Sequence, residues 1–195
     1  MTNKKYFFIG IGGIGMSSIA QYLYEKGNTI LGYDASENRS VKILVNKGID
    51  VINDLSLKSI PDYMKMEDVI VIYTPAIPDD NIFLKYYRSN GNNPIYKRSE
   101  ILGEISKQSK CIAVAGTHGK TTTTAMIGHL LVCSGLSPTI ITGGIMNNFG
   151  QNIYLTDSNY VVVEADESDG TVFKLNPKIL IYLNVDKEHL DYYKS

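Results

Sequence analysis

The sequence has almost no excess of charge, because its 195 residues carry 19 Lys and Arg against 20 Asp and Glu. The net charge of −1 leaves no basic surplus to hold a nucleic-acid backbone, so a nucleic-acid partner is not expected. Cysteine is also scarce. Cys111 and Cys133 both lie in apolar stretches without a metal-binding spacing, which predicts two buried, reduced thiols.

Long hydrophobic runs are missing as well. The apolar run Tyr6–Ile9 near the start of the chain is broken at Gly10, so it is too short for the core of a secretory signal. No apolar stretch approaches the roughly 18 residues that a membrane-spanning helix needs. We therefore expect a soluble, cytoplasmic protein that does not insert into a membrane.

The sequence does contain an alternation of strand and helix patterns along nearly its whole length. Apolar or β-branched runs predict strands at residues 6–9, 29–33, 50–52, 69–73, 95–96, 111–115, 139–142, 160–164 and 179–185. The glycine-rich stretch Gly143–Gln151 is predicted to be a loop. Ser99 is predicted to cap a helix that runs to about Lys107.

This alternation favours an α/β fold in which βαβ units build parallel sheets. A glycine loop between a strand and a helix occurs twice, which predicts two nucleotide-type sites. We place the boundary near residue 107. Residues 1–107 would form a Rossmann-like domain, and residues 108–195 part of a P-loop-type domain.

The first glycine loop matches the pattern G-x-G-x-x-G and lies between a predicted strand and a predicted helix. Its residues are Gly10, Ile11, Gly12, Gly13, Ile14 and Gly15. The glycines permit a tight turn, a close approach to a diphosphate and close packing of helix on strand. The helix N-terminus attracts anions, and Asp34 is placed to accept hydrogen bonds from a ribose or a base. The pattern leaves open NAD, another diphosphate such as a UDP-sugar, and a purely structural turn.

The second glycine loop is the strongest signal in the chain. Its residues are Gly116, Thr117, His118, Gly119, Lys120, Thr121 and Thr122. Its amides are expected to surround phosphate oxygens, Lys120 to reach the β- and γ-phosphates, and the Thr121 hydroxyl to bind Mg²⁺. The pattern G-x-x-x-x-G-K-[ST] would need glycine where this chain has Val114. The loop is therefore the shorter G-T-x-G-K-T variant, which counts against ordinary P-loop GTPases and kinases.

An acidic side chain ends the predicted strand at residues 160–164. Ligands of nucleotide-binding sheets lie at the carboxyl ends of the strands, so Glu164 is expected to complete a magnesium site begun by Thr121. Asp166 and Asp169, which follow, are interpreted either as functional or as part of a solvated acidic turn. His189 alone supports no functional assignment.

Taken together, these motifs resemble the Mur ligase family, and the resemblance covers essentially the whole chain. The segments that carry it are Gly10–Ser17, Gly32–Asp34, Thr74–Asn81, Lys97–Leu102, Gly116–Thr124, Glu164–Asp169 and Asn184–Asp191. The resemblance implies that the first domain binds a UDP-sugar and not NAD. The residues implied for that site are Gly10, Gly12, Gly13, Ile14, Gly15, Asp34, Thr74, Pro75 and Ala76.

The resemblance also implies an activity. UDP-N-acetylmuramate, L-alanine and ATP would be the substrates, with Mg²⁺ or Mn²⁺ as the metal, in peptidoglycan precursor synthesis. ATP would phosphorylate the lactyl carboxylate to an acyl phosphate, which the amine of L-alanine would attack. Lys120, Glu164 and His189 would be catalytic, and Thr121, Glu164 and His189 would bind metal.

Three alternatives stay open at this point. A related ligase could add a preformed peptide to the same sugar, and Lys120 does not discriminate between the two. An NAD-dependent oxidoreductase would explain the first loop but leaves Gly116–Thr122 and Glu164 without a role. A non-catalytic nucleotide-binding module is the third. Because the family has three domains, we expect this chain to be a fragment that binds UDP-sugar but has feeble or no ligase activity.

Overall fold

The protein is described by a computed structural model, which covers residues 3–166 and 170–186. It divides into two compact units, Met1–Arg98 and Ser99–Ser195. The sequence placed the division near residue 107, whereas these units divide after the first residue of the helix that ends there. Glu167 and Asp169 of the acidic turn, and His189, lie outside the described residues.

The first unit is an open parallel sheet with helices in its crossovers. Its elements are β1 Lys5–Ile9, α1 Ile14–Glu25, β2 Thr29–Tyr33, α2 Arg39–Asn46, β3 Asp50–Ile52, β4 Val69–Tyr73, α3 Ile82–Asn90 and β5 Ile95–Lys97. The strand order is β3-β2-β1-β4-β5, and every pairing is parallel. The order reverses between β1 and β4, where such sheets bind ligands at the carboxyl ends of their strands. The predicted Rossmann-like sheet is confirmed.

Aromatic side chains fill the core of the first unit. Phe7 of β1 contacts Phe83 edge-on, with ring centroids 5.5 Å apart, and lies 5.3 Å from the ring of Tyr87. All three residues have no exposed surface. The buried hydroxyl of Tyr87 donates a hydrogen bond of 2.6 Å to the backbone carbonyl of Met64, so its polar end is satisfied. This packing holds α3 against the sheet.

The second unit contains a sheet that is parallel except at one edge. Its elements are α4 Arg98–Lys107, whose first residue belongs to the first unit, β6 Lys110–Ala115, α5 Lys120–Cys133, β7 Thr139–Met146, β8 Gln151–Tyr154, β9 Tyr160–Glu164, α6 Thr171–Lys174 and β10 Ile179–Tyr182. The strand order is β10-β6-β9-β7-β8. Only β8 of these strands pairs antiparallel, with β7.

Helix α5 packs on this sheet through only part of its apolar residues. Ile127 and Leu131 pack against the core cluster around Ile140 and Val162, as an apolar helix face should. Met126 and Leu130, which share the helical spacing, are 61% and 65% exposed instead. A Cβ at Gly128 would lie 2.4 Å from Ile140 Cδ1, so the helix meets the strand at its glycine.

Three sequence-based expectations are wrong in this unit. Cys133 is exposed at the end of α5, where its Sγ lies 3.6 Å from Nε2 of His129. The stretch Gly143–Gln151 is not all loop, since β7 continues through its glycines and β8 begins at its end. Ser99 lies inside α4 and does not precede it.

The other cysteine follows the prediction. Cys111 on β6 is buried, and burial raises the pKa of its thiol to about 12. At neutral pH it is a small apolar side chain with no role as a nucleophile. Among the described residues, none of the helices combines the length and the hydropathy needed to cross a bilayer.

Candidate functional site

The second glycine loop lies at the carboxyl end of β6 and leads directly into α5. Its backbone favours glycine at two points, since Gly116 has φ +128° and Gly119 has φ +81°. A Cβ at Gly116 would also lie 3.0 Å from Leu183 Cβ, in the segment after β10. Gly119 is the N-cap of α5, so the helix begins at Lys120. Its first amides have no acceptor within the helix and form an anion-binding end.

The side chain of Lys120 is folded over the loop. Its Nζ donates hydrogen bonds to the backbone carbonyls of Gly116 at 2.7 Å and Thr117 at 3.0 Å. The ammonium group is therefore held beside the loop, within the same few residues that approach a phosphate in a nucleotide site. Half-buried and tied to neutral carbonyls, Lys120 is placed to offset negative charge at the N-terminus of α5.

Thr121 and Glu164 come together across the sheet edge, as the sequence predicts. Glu164 ends β9 and is paired in register with Val114 of β6, one strand over. The Thr121 hydroxyl lies 2.9 Å from Glu164 Oε2 and 3.0 Å from Oε1. The two residues thus supply a hydroxyl and a carboxylate at one point beside the phosphate loop.

Gly143 is a third member of this group that sequence reasoning missed. Its amide donates a hydrogen bond of 2.6 Å to Glu164 Oε2. A Cβ at this position would lie 3.1–3.2 Å from the Glu164 carboxylate, so the glycine lets β7 lie against it. The signal was the Gly143–Gly144 pair directly after an apolar strand, which was interpreted as a loop.

The oxygen donors at this point suit a hard cation. Hydroxyl and carboxylate oxygens are the ligands that Mg²⁺ prefers, and Mg²⁺ is commonly held by one or two protein groups plus phosphate and water oxygens. Within residues 3–166 and 170–186, no three His, Cys, Asp or Glu side chains are grouped to bind a metal. The expected ligand His189 lies outside these residues.

The segment after β10 contacts the front of the phosphate loop. The amides of Thr117 and His118 donate to the backbone and side-chain oxygens of Asn184, at 3.2 Å and 2.8 Å. The His118 imidazole lies 3.6 Å from the carboxylate of Asp186. The amides of Thr117 and His118, which were expected to bind phosphate, thus donate to Asn184 instead. The sequence singled out the segment Asn184–Asp191 for its histidine, His189, and gave no role to Asn184.

In the first unit, Asp34 holds the first glycine loop. Its Oδ2 accepts a 2.7 Å hydrogen bond from the amide of Gly12, and its Oδ1 accepts from the amide and hydroxyl of Ser36. A Cβ at Gly12 would lie 2.8 Å from Asp34 Oδ2 and from Val41 Cγ2, and 2.9 Å from Asn38 Nδ2. The second glycine of the motif is therefore required by side chains behind the loop.

The remaining residues of the expected UDP-sugar site are spread around the same sheet edge. Gly10 has φ +83°, and a Cβ there would lie 3.3 Å from Thr74 Cγ2. Pro75 and Ala76 are exposed in the turn that follows Thr74. A cavity of about 490 Å³ opens beside them, lined in part by Gly10, Tyr33, Asp34, Ile77, Pro78 and Asn81. Its volume lies in the range of small-molecule sites.

Gly13 and Gly15 flank the start of α1. Gly13 is its N-cap, and the helix begins at Ile14, so its first amides point out of the sheet edge. A Cβ at Gly15 would lie 2.6 Å from a guanidinium nitrogen of Arg98. A cation at this helix end adds to the positive potential that favours an anion. Arg98 was not among the residues expected from the sequence.

Comparison with known proteins assigns both units. Residues 5–110 match the model of the Mur ligase family, catalytic domain, and residues 114–195 match the Mur ligase middle domain. A curated UDP-N-acetylmuramate–L-alanine ligase from Porphyromonas gingivalis is 44% identical over 192 residues, which cover 97% of this chain and 42% of that protein. The chain thus spans less than half the length of this relative.

Solved structures agree with these matches. The crystal structure of a UDP-N-acetylmuramate–alanine ligase from Thermotoga maritima has a TM-score of 0.87 at 35% identity, covering 98% of this chain and 44% of that one. A UDP-N-acetylmuramate:L-alanyl-γ-D-glutamyl-meso-diaminopimelate ligase from Neisseria meningitidis also has a TM-score of 0.87, at 27% identity, covering 98% and 64%.

These matches do not favour the alternative of an NAD-dependent oxidoreductase, which gave the second glycine loop no role. They span the two glycine loops and the acidic end of β9 together. On its sequence and its fold, the chain belongs to the Mur ligase family.

Proposed function

We propose that the chain forms the UDP-sugar-binding and phosphate-binding parts of a cytoplasmic ligase that uses ATP to join L-alanine to UDP-N-acetylmuramate. The product would be a precursor of peptidoglycan, and ADP and phosphate would be released. The observation that carries the proposal is the contact of Thr121 with Glu164 beside the Gly116–Lys120 loop. The names of the relatives at 40–47% identity support the choice of substrates.

ATP would bind with its phosphates at the N-terminus of α5. The helix amides and the partial positive charge of the helix end favour the anion. The ammonium of Lys120 would exchange its hydrogen bonds to Gly116 and Thr117 for phosphate oxygens. That exchange keeps a positive charge beside the γ-phosphoryl group while it is transferred.

Thr121 and Glu164 would hold Mg²⁺ with the nucleotide, and His189 would contribute to a second metal. When bound, Mg²⁺ supplies charge neutralisation between the triphosphate and the carboxylate substrate. The 2.6 Å bond from the Gly143 amide keeps Glu164 Oε2 oriented towards this point. The hydroxyl of Thr121 already lies within 3.0 Å of both carboxylate oxygens of Glu164. Little movement would therefore be needed for the hydroxyl and the carboxylate to bind the same cation.

The reaction would proceed in two transfers. An oxygen of the lactyl carboxylate attacks the γ-phosphorus, the bond to the β–γ bridging oxygen breaks, and ADP leaves with the electron pair. The amine nitrogen of L-alanine then attacks the acyl carbon and loses a proton. The tetrahedral intermediate collapses to the amide as phosphate leaves. Both steps bring anions together, which is why a lysine, a helix N-terminus and a hard cation are needed at one place.

The UDP-sugar would bind at the carboxyl edge of the first sheet. The cavity beside Gly10 and Asp34 and the start of α1 at Ile14 offer a recess and an anion-binding end next to one another. Asp34 already accepts bonds from Gly12 and Ser36, yet a carboxylate has further lone pairs for a ribose or base donor. Its main contribution would be to fix the loop that meets the diphosphate.

The acceptor is tested by ADP release in a protein that contains this chain together with the remaining length of its relatives. L-alanine should support release in the presence of UDP-N-acetylmuramate, and Lys120→Met should abolish it. Release that depends on a preformed tripeptide and not on L-alanine would assign the chain to the peptide-adding branch, to which the Neisseria meningitidis structure belongs. Release that needs neither acceptor would contradict a ligase.

A further inference from the structure

The segment that follows β10 runs alongside the phosphate loop and bonds to it at successive positions. The amide of Leu183 donates to the carbonyl of Ala115 at 3.0 Å, and the amide of Thr117 donates to the carbonyl of Asn184 at 3.2 Å. The amide of Asp186 donates to the hydroxyl of Thr117 at 2.9 Å. The parallel pairing of β6 with β10 thus continues past the end of both strands and into the loop.

The side chain of Asn184 makes the most specific of these contacts. Its Oδ1 accepts a hydrogen bond of 2.8 Å from the amide of His118, and its Nδ2 donates one of 3.1 Å to the carbonyl of the same residue. Only a side chain with both a donor and an acceptor can make this pair of bonds. Aspartate keeps the acceptor alone, and leucine keeps neither.

The same loop peptides are held on their opposite side by Lys120. A peptide unit is planar, so its N–H and C=O point in opposite directions. In the unit that joins Gly116 to Thr117, the N–H donates to Asn184 and the C=O accepts from Lys120. In the next unit, from Thr117 to His118, the N–H again donates to Asn184 and the C=O again accepts from Lys120.

We propose that Asn184 is a positioning residue for the phosphate loop, acting through these two peptide units to hold Lys120 beside the nucleotide phosphates. The inference rests on the proposed binding of ATP and adds a residue to it. Because Asn184 takes the N–H groups of Thr117 and His118, both carbonyls turn towards Lys120 and offer it a fixed place. The amides left for phosphate are those from Gly119 onward, at the start of α5.

Loss of Asn184 has a defined consequence. Without the side-chain amide of Asn184, the N–H of the peptide unit between Thr117 and His118 has no acceptor there. The unit can then rotate, and its C=O no longer holds Lys120. A carbonyl oxygen that turns towards a phosphate repels it. The expected effect is weaker binding of nucleotides that carry β- and γ-phosphates, with little effect on the folding of a loop that is already at the surface, since His118 is exposed.

The loop itself is tested without nucleotide, by amide hydrogen exchange. In Asn184→Leu the His118 amide should exchange about tenfold faster than in the parent chain, because it loses its acceptor. In Asn184→Asp the same amide should stay protected, since the acceptor remains. Asn159→Leu is the matched control, because Asn159 is exposed just before β9, at the opposite sheet edge. Unchanged exchange at His118 in Asn184→Leu would overturn the proposal.

Calorimetric titration tests the consequence for nucleotide binding, with MgATP as the ligand and AMP, which lacks the β- and γ-phosphates, as the comparison. Asn184→Leu should weaken MgATP binding by about tenfold, because it leaves the His118 amide without its acceptor, while Asn159→Leu leaves the affinity unchanged. Circular dichroism checks that each variant is folded, and Asn184→Ala, which also lacks the acceptor, stands in if Asn184→Leu is not.

The failure of each idea has its own signature. If the parent chain binds no MgATP, the proposed function fails, while the exchange rates still decide whether Asn184 positions the loop. If the parent chain binds MgATP and Asn184→Leu binds it equally well, the proposed function stands and the role of Asn184 is overturned.

Discussion

The hydroxyl of Thr121 lies 2.9 Å from Oε2 and 3.0 Å from Oε1 of Glu164, although the two residues are far apart in the chain. One opens helix α5 and the other ends strand β9. Parallel strands bring both to one sheet edge, and the Gly143 amide fixes the carboxylate from the other side. The charge, the hydroxyl and the helix end that a magnesium–nucleotide complex needs therefore meet without any large rearrangement.

Thr121→Val replaces the hydroxyl by a methyl group of similar size. We expect the affinity for MgATP to fall by about tenfold, because one oxygen ligand and one hydrogen bond are lost. The unfolding free energy should change little, since Thr121 is only half-buried. Calorimetry with MgATP measures the effect, with Thr29→Val in the other unit as the control. Equal affinities of Thr121→Val and the parent chain would exclude the hydroxyl as a ligand.

Glu164→Gln removes the negative charge but keeps an acceptor for the hydroxyl of Thr121 and the amide of Gly143. The local structure should therefore survive, while most of the increase in ATP affinity caused by Mg²⁺ should be lost. Titrations of ATP with and without Mg²⁺ measure that increase directly. Glu104→Gln is the control, because Glu104 forms an exposed ion pair with Lys107, of the kind that contributes little to stability. A Glu164→Gln chain with undiminished Mg²⁺ dependence would contradict the assignment.

Gly12 and Gly13 offer a matched pair of substitutions in the first loop. A Cβ at Gly12 would lie within 2.9 Å of three side chains, whereas at Gly13 the nearest atom, the carbonyl oxygen of Gly10, is 3.6 Å away. Gly12→Ala should lower the unfolding free energy by about 1–3 kcal/mol, and Gly13→Ala should leave it nearly unchanged. Denaturant unfolding of the two variants provides the comparison. Equal destabilisation by the two substitutions would show that contacts of the added Cβ with Asp34, Asn38 and Val41 are not the cause.

The two cysteines should differ in reactivity. Cys133 is exposed and should react with a thiol reagent at pH 8 in the native chain, whereas buried Cys111 should react only after unfolding. Counting modified thiols by mass spectrometry before and after denaturation tests this, and Cys133→Ser should leave no reactive native thiol. Two modified thiols in the native chain would show that β6 opens readily.

The same burial predicts a dependence of stability on pH. Burial raises the pKa of the Cys111 thiol from 9.0 to about 12, so the unfolded chain loses this proton at a lower pH than the folded chain. The stability it contributes is complete below pH 9 and is lost as the pH rises towards 12. Unfolding of the parent chain and of Cys111→Ala across that range should show a steeper loss for the parent.

The strands could be predicted because buried parallel strands are short runs of apolar residues. Val69–Tyr73 and Tyr160–Glu164 have the predicted bounds for this reason. Glu164 and Thr121 were predicted to meet because strand ends share one edge. Strand β8 could not be predicted, since it pairs with a β7 that contains Gly143 and Gly144, residues that favour loops when taken alone.

The contacts of Asn184 and Asp34 could not be predicted from sequence motifs and their spacing. Asn184 belongs to a segment that was singled out for His189, and its partner His118 is distant in sequence, so only the fold brings Asn184 and His118 together. Asp34 was predicted to accept hydrogen bonds from a ligand, and in the structure its carboxylate accepts one from the amide of Gly12. An acid at the end of β2 is compatible with both roles, and spacing alone does not separate them.

The central claim is that the first unit binds a UDP-sugar and that the chain is built for ligation. Calorimetric titration of the chain with UDP-N-acetylmuramate, with NADH as the comparison ligand, tests it most directly. The account predicts saturable binding of UDP-N-acetylmuramate, weakened by Asp34→Ala, and no binding of NADH. Binding of NADH without binding of UDP-N-acetylmuramate would contradict it.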